Sequence, residues 1–94
     1  MEINTERKSQ DERWGEQNHP DGTGYPVAIA LANMARRKAD AHAEAGDLTW
    51  GHILEEEFWE ALAESDPVRL REELIQVAAV AVAWVEAIDR RTDN

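Results

Sequence analysis

Cysteine is absent from this 94-residue sequence. That excludes disulfides and thiolate metal sites, and nothing in the chain points to an oxidising compartment. Proline occurs three times and glycine five, so regular elements can run long between a few sharp breaks. Basic residues are scarce, ten Lys and Arg against twenty Asp and Glu, for a formal net charge of −10. Binding nucleic acid through a basic surface is therefore not expected. Long hydrophobic runs are missing too. The most apolar stretch, Leu74–Ile88, is interrupted by Gln76 and Glu86 and is shorter than the ~20 residues a bilayer requires. The first residues, Met-Glu-Ile-Asn-Thr-Glu, are acidic and polar, unlike a secretory signal. A cytoplasmic location is the expectation, with neither membrane nor nucleic acid as partner.

What remains reads as one all-α domain, residues 1–94, whose residues 1–25 form a polar N-terminal segment and loop. Thr5 is placed to cap a short helix ending at Arg13. The stretch from Trp14 to Pro26 carries too much glycine and proline for a regular element. A first main helix is predicted over Pro26–Ala45, with proline in its first turn and Gly46 as its stop. Val27, Leu31, Met34 and Ala35 form its apolar stripe. A second helix, capped by Thr49, is predicted over Trp50–Glu64. The third, Pro67–Asp89, starts from Asp66, whose carboxylate can accept from the opening amides, and from Pro67, which fits a position needing no amide. Arg90–Asn94 is expected to be a frayed tail.

The break at Ser65-Asp66-Pro67 is short, so the second and third helices are antiparallel neighbours. At about 1.5 Å rise per residue, Glu60 lies roughly 8 Å from the turn and Glu73 roughly 11 Å. By the same rise, Glu57 lies roughly 13 Å away and Gln76 roughly 16 Å. Each helix spaces its pair at i, i+3, on one face, so four oxygen-bearing side chains can converge. Glu57 falls inside the stripe of Trp50, Leu54, Phe58, Ala61 and Leu62, and Glu60 lies at its edge. Glu73 falls among Leu70, Val77, Val80 and Trp84. Most Glu runs are solvated faces, but a carboxylate in an apolar stripe is costly unless it is paired or bound to a cation. Oxygen-only donors suit Mg²⁺, or Mn²⁺.

The segment resembles the signature of the MazG-like all-α nucleoside triphosphate pyrophosphohydrolases, Glu-Glu-x-x-Glu followed after a gap by Glu-x-x-Asp. Glu56-Glu57-Phe58-Trp59-Glu60 corresponds to the first half. Glu73-Leu74-Ile75-Gln76 corresponds to the second, with Gln76 where the family has Asp. The resemblance covers roughly Thr49 to Asp89. It implies an Mg²⁺-dependent enzyme that splits an NTP or dNTP into monophosphate and pyrophosphate. Glu57, Glu60, Glu73 and Gln76 would be metal ligands, with Glu56 assisting as catalytic base. The neutral Gln76 implies weaker metal binding, or a nucleotide-binding or protein-interaction module that has lost turnover.

Upstream, Trp14-Gly15-Glu16-Gln17-Asn18-His19-Pro20 is similar to a stretch that precedes the acidic helices in small MazG-like proteins, some of them carried by phages. Trp14 could stack on a nucleobase, and Gln17, Asn18 and His19 could read it. Alternatively, Trp14 and Tyr25 plug the end of a bundle. Arg36-Arg37-Lys38 is the one dense basic cluster; it can hold phosphate oxygens, pair with surplus carboxylates or form a solvated face. His42 and His52 read as structural. The last helix is apolar on nearly every face, and such surfaces mark interfaces. A homodimer or homotetramer is expected, in which helices of two chains complete a four-helix bundle.

Overall fold

The computed structural model describes residues 2–92. They form four α-helices: α1, Glu2–Trp14; α2, Pro26–Ala45; α3, Trp50–Ala63; and α4, Pro67–Thr92. No strand occurs among the described residues. α3 packs against both α2 and α4, which do not pack on each other, and α1 packs against none of them. No helix among the described residues is long and apolar enough to cross a membrane.

The helix α1 has no buried residue and is held by its own side chains. Arg7 pairs with Asp11 at 2.9 Å and Arg13 with Glu6 at 3.5 Å. Thr5 is therefore an interior helical residue rather than the cap, because pairs along the exposed surface carry the helix back to Glu2. Trp14 closes α1 instead of opening the loop. The Gly15 amide then bonds the Asp11 carbonyl with φ of +68°, a left-handed stop that glycine adopts without strain.

Residues 15–25 contain no regular element, and their far end is anchored. The Thr23 hydroxyl donates to the Glu64 carbonyl at 2.6 Å, and the Gly24 amide to the Leu62 carbonyl at 2.8 Å. Gly24 has φ of +81°, and a Cβ there would lie 2.7 Å from Ser65 Cβ. The loop thus straps across the α3–α4 turn at a point where only glycine fits.

Pro26 and Gly46 bound α2 as expected, and Gly46 adopts the left-handed cap conformation. The buried stripe differs from the expected one. Ala28, Ala32, Ala35 and Ala39 are buried, whereas Val27 and Met34 are 63% and 58% exposed and Leu31 is half-buried. The alanines recur at i, i+4, i+7 and i+11. Their small side chains let the α2 backbone approach α3 closely, which turns the larger residues outward.

Thr49 caps α3 through its hydroxyl, which accepts from the His52 amide at 3.1 Å; the Thr49 amide donates to His52 Nδ1 at 3.1 Å. This is a reciprocal capping box with imidazole in the place usually taken by Glu or Gln. His52 stacks on His42, ring centroids 4.1 Å apart, and His42 Nδ1 lies 2.8 Å from an Asp47 oxygen. That contact holds the Asp47 carboxyl below its ordinary range. Both histidines thus brace the α2–α3 turn.

Glu64 lies outside α3, in extended conformation as its C-cap. The helix stops one residue earlier than expected because the Glu64 amide turns back to Ala61. α4 begins as expected: the Val68 amide donates to Asp66 Oδ1 at 3.1 Å. It runs past Asp89 to Thr92, so Arg90 and Arg91 are helical rather than frayed; cations in a last turn favour its continuation. The expected tail's remaining residues, 93–94, lie outside the described residues.

Candidate metal centre

The α3–α4 hairpin brings three carboxylates to one place. One oxygen each from Glu57, Glu60 and Glu73 lies within 4.8 Å of the others, and all three side chains are half-buried. The local cause is the hairpin register: Asp66 and Pro67 restart the helix so that Glu73 arrives at the level of Glu60, while Glu57 sits one turn along α3. Ala61 on α3, 2% exposed, and Leu70 on α4, 6% exposed, are buried close in sequence to these carboxylates.

Burial pushes the Glu57 carboxyl above its ordinary range, and the charges of Glu60, Glu73 and Glu56 push it further. Glu73 is raised by burial and then by Glu60, Glu64 and Glu72, with Arg36 acting in the opposite direction. Glu56, also half-buried, is raised by burial and by the Glu60 and Asp40 charges. Burial is the first cause in each case, and negative charge that local cations do not fully offset adds to it.

Among the described residues, Arg36 is the cation that pairs with the cluster. Arg36 Nη2 on α2 lies 3.3 Å from Glu60 Oε1. Arg36 and Asn33 line an open cleft of about 270 Å³ together with Glu60, Glu64 and Glu73. The basic cluster is thus divided among different partners: Lys38 pairs with Glu55 at 3.4 Å, and Arg37 bonds the Asn33 carbonyl. Asn33 escaped the sequence reading. Its only signal was its position one turn before Arg36.

Gln76 lies one turn beyond Glu73 on α4 and is exposed; it does not line this cleft. Trp14, Gln17 and His19 line a different cleft of about 380 Å³, with Arg7, Gln10 and Asp11. The two clefts share no residue. Trp14 is 59% exposed, with the Arg13 guanidinium 4.6 Å from its ring centre; it plugs no bundle end. Asn18 and His19 contact their own loop, at Glu16 and Gln17. One copy of the chain therefore does not bring the aromatic loop and the carboxylates into a common cleft.

No family model, curated protein or solved structure matches the chain. The chemistry is accordingly read from the donors. Three clustered carboxylate oxygens with no sulfur or imidazole among them fit a hard divalent cation such as Mg²⁺ or Mn²⁺. The same repulsion that raises the Glu57 and Glu73 carboxyls is relieved by such an ion.

Proposed function

We propose that this chain is a divalent-metal-dependent nucleotide pyrophosphohydrolase, acting on an NTP or dNTP of the cytoplasm to give monophosphate and pyrophosphate. The observation that carries the proposal is the convergence of Glu57, Glu60 and Glu73 at the α3–α4 hairpin. The likeness of Glu56–Glu60 and Glu73–Gln76 to the MazG-like signature supplies the reaction type. Mg²⁺ held by those carboxylates would polarise a phosphoryl oxygen and lower the pKa of a water.

The chain's own residues take the remaining roles. Glu57, Glu60 and Glu73 present the ligand oxygens; Gln76, exposed one turn beyond Glu73, adds its neutral amide oxygen only if its side chain turns toward them. Glu56 is the base: its raised carboxyl accepts the proton of the water as its oxygen bonds to phosphorus and the phosphoanhydride bond breaks. Arg36 and Asn33, at the cleft rim, supply donors for phosphate oxygens. Trp14, Gln17, Asn18 and His19 are assigned to base recognition. Because none of them lines the carboxylate cleft, they serve this role only if a second copy or a shift of the loop brings them over. The working form is a homodimer or homotetramer.

Gln76 favours a second reading, in which the same bundle binds a nucleotide or a protein with little turnover. Pyrophosphate release from each common NTP and dNTP, with excess Mg²⁺ or Mn²⁺, separates the two. Release that is lost in Glu57→Gln supports the enzyme. Tight nucleotide binding without release, converted to turnover by Gln76→Asp, supports the module. Neither binding nor release with any nucleotide defeats the enzyme and the nucleotide-binding module alike, and leaves only the protein-binding form of the second reading.

A further inference from the structure

The N-terminus of α3 is closed by an imidazole where a capping box ordinarily has Glu or Gln. The Thr49 amide donates to His52 Nδ1 at 3.1 Å. An amide N–H only donates, so Nδ1 is the acceptor and the neutral ring carries its proton on Nε2. A Glu in this place keeps its acceptor oxygens down to a pH of about 4.3, whereas an imidazole ordinarily gives up its acceptor near ~6.5. On His52 the second proton goes to Nδ1, the atom that the Thr49 amide already uses.

His42 is arranged the opposite way. It stacks on His52 with ring centroids 4.1 Å apart and planes 13° from parallel. Its Nδ1 lies 2.8 Å from Asp47 Oδ1. An ionised carboxylate only accepts, so that nitrogen is the donor. A second proton on His42 goes to Nε2 and leaves the contact in place. The imidazolium also gains the Asp47 charge and a place in the last turn of α2, where a cation is favourable. The lowered Asp47 carboxyl agrees, since its bond to His42 is the first cause. His52 stands instead in the first turn of α3, where a cation is unfavourable, and against a ring that already holds charge.

Other charged groups surround the corner. Asp40 and Glu44 flank His42 in sequence on α2, and Glu55 and Glu56 lie about one turn beyond His52 on α3. Glu55 pairs with Lys38 at 3.4 Å, and the Asp40 charge reaches Glu56. These carboxylates favour a proton on either ring; the cap distinguishes the two. α4 meets α3 along the groove that Gly51, Leu54 and Phe58 share with Trp84, Ala81 and Val77. That register puts Ala83 at the level of His52, with Glu86, the nearest charged residue of α4 along the chain, about one turn on.

We infer that the α2–α3 corner is a pH-sensitive latch that holds one added proton and not two. His42 takes the first with the corner intact. Transfer of a second from water to His52 Nδ1 breaks the bond to the Thr49 amide and frays the first turn of α3. The unfolded chain accepts a proton on both rings, so the corner loses stability as pH falls through the imidazole range. The raised carboxyls of Glu57 and Glu73 act in the opposite direction, so a melting curve sums the two effects and the test is local. The inference stands apart from the metal reading and uses none of its residues.

Two-dimensional NMR of the metal-free full chain between about pH 8 and pH 5, spanning the imidazole range, reads the Thr49 amide and the histidine rings. His19, whose ring meets Gln17 in the loop, serves as the reference imidazole. In wild type the downfield shift of the Thr49 amide proton should be lost with the same midpoint as the His52 ring signals. His52→Gln supplies an ordinary capping-box residue and should keep that shift throughout, whereas His52→Ala should lack it at every pH. His42→Gln removes the first charge, so the loss should move to higher pH by roughly one unit, as for two charges ~4 Å apart in water. A Thr49 amide still bonded in acidified wild type overturns the inference. So does loss of the bond at the same pH in His52→Gln, an unmoved midpoint in His42→Gln, or a neutral His52 that carries its proton on Nδ1.

Discussion

Glu57 and Glu73 are the residues whose titration reports most directly on the cluster. Both carboxyls are raised, by burial first and by neighbouring carboxylates second. A carboxyl raised in the folded state binds protons more readily there than in the unfolded chain. Its stabilising contribution is complete below the ordinary Glu value of about 4.3 and is lost as pH rises through the folded value. Metal-free protein should therefore lose stability from this cluster between the ordinary carboxylate range and neutrality. Glu57→Gln or Glu73→Gln should flatten that part of the pH–Tm profile. At neutral pH either change should raise the metal-free Tm by about 2–4 °C, from relief of a like-charge contact. Thermal melts across that pH range check this, and an unchanged profile would show that the charges do not interact. Arg36 acts in the opposite sense: its guanidinium competes with a cation for Glu60. Arg36→Ala should tighten Mn²⁺ binding by roughly 1–2 kcal/mol, about tenfold in Kd, measured by calorimetry, while lowering affinity for pyrophosphate in the presence of metal.

At the scale of elements, the helix boundaries depend on local chemistry, and the sequence showed them for that reason. Asp66-Pro67, Thr49, and Pro26 with Gly46 each act within a few residues of themselves. Asp66→Ala should cost about 1 kcal/mol through loss of the bond to the Val68 amide, read by denaturant unfolding. The carboxylate convergence was legible on the same grounds, since a short turn and a fixed rise set the register of Glu60 against Glu73. Side-chain size misled where packing between helices decides. The larger Val27 and Met34 were expected inside α2, but close approach to α3 selects its alanines. The strap was not legible either, because Thr23 and Gly24 find their partners some forty residues away at Leu62, Glu64 and Ser65. Gly24→Ala tests the strap: a left-handed φ and a 2.7 Å approach should together destabilise the fold by about 1–3 kcal/mol. A neutral result in chemical unfolding would show that the loop is not anchored there.

At the scale of the whole molecule, three helices in which only α3 has neighbours on both sides leave a thin body, 17 Å in its shortest extent. The aromatic loop and the carboxylate cleft occupy separate regions of it. Trp14–His19 and Glu56–Gln76 were expected to serve one site, but α1 carries Trp14 at its end and packs on no other helix. A net charge of −10 repels free triphosphates as well, so the proposed function requires metal at the carboxylates before a nucleotide can stay. The decisive measurement is thermal melting of wild type and Glu73→Gln at neutral pH, with and without Mn²⁺ or Mg²⁺. Metal at about a hundred times its Kd contributes roughly 2.7 kcal/mol to the folded state, a rise on the order of 10 °C for a domain of this size. A rise of that order in wild type, abolished by Glu73→Gln, is the expected result. No rise in wild type, or the same rise in both proteins, would contradict a metal centre at Glu57, Glu60 and Glu73.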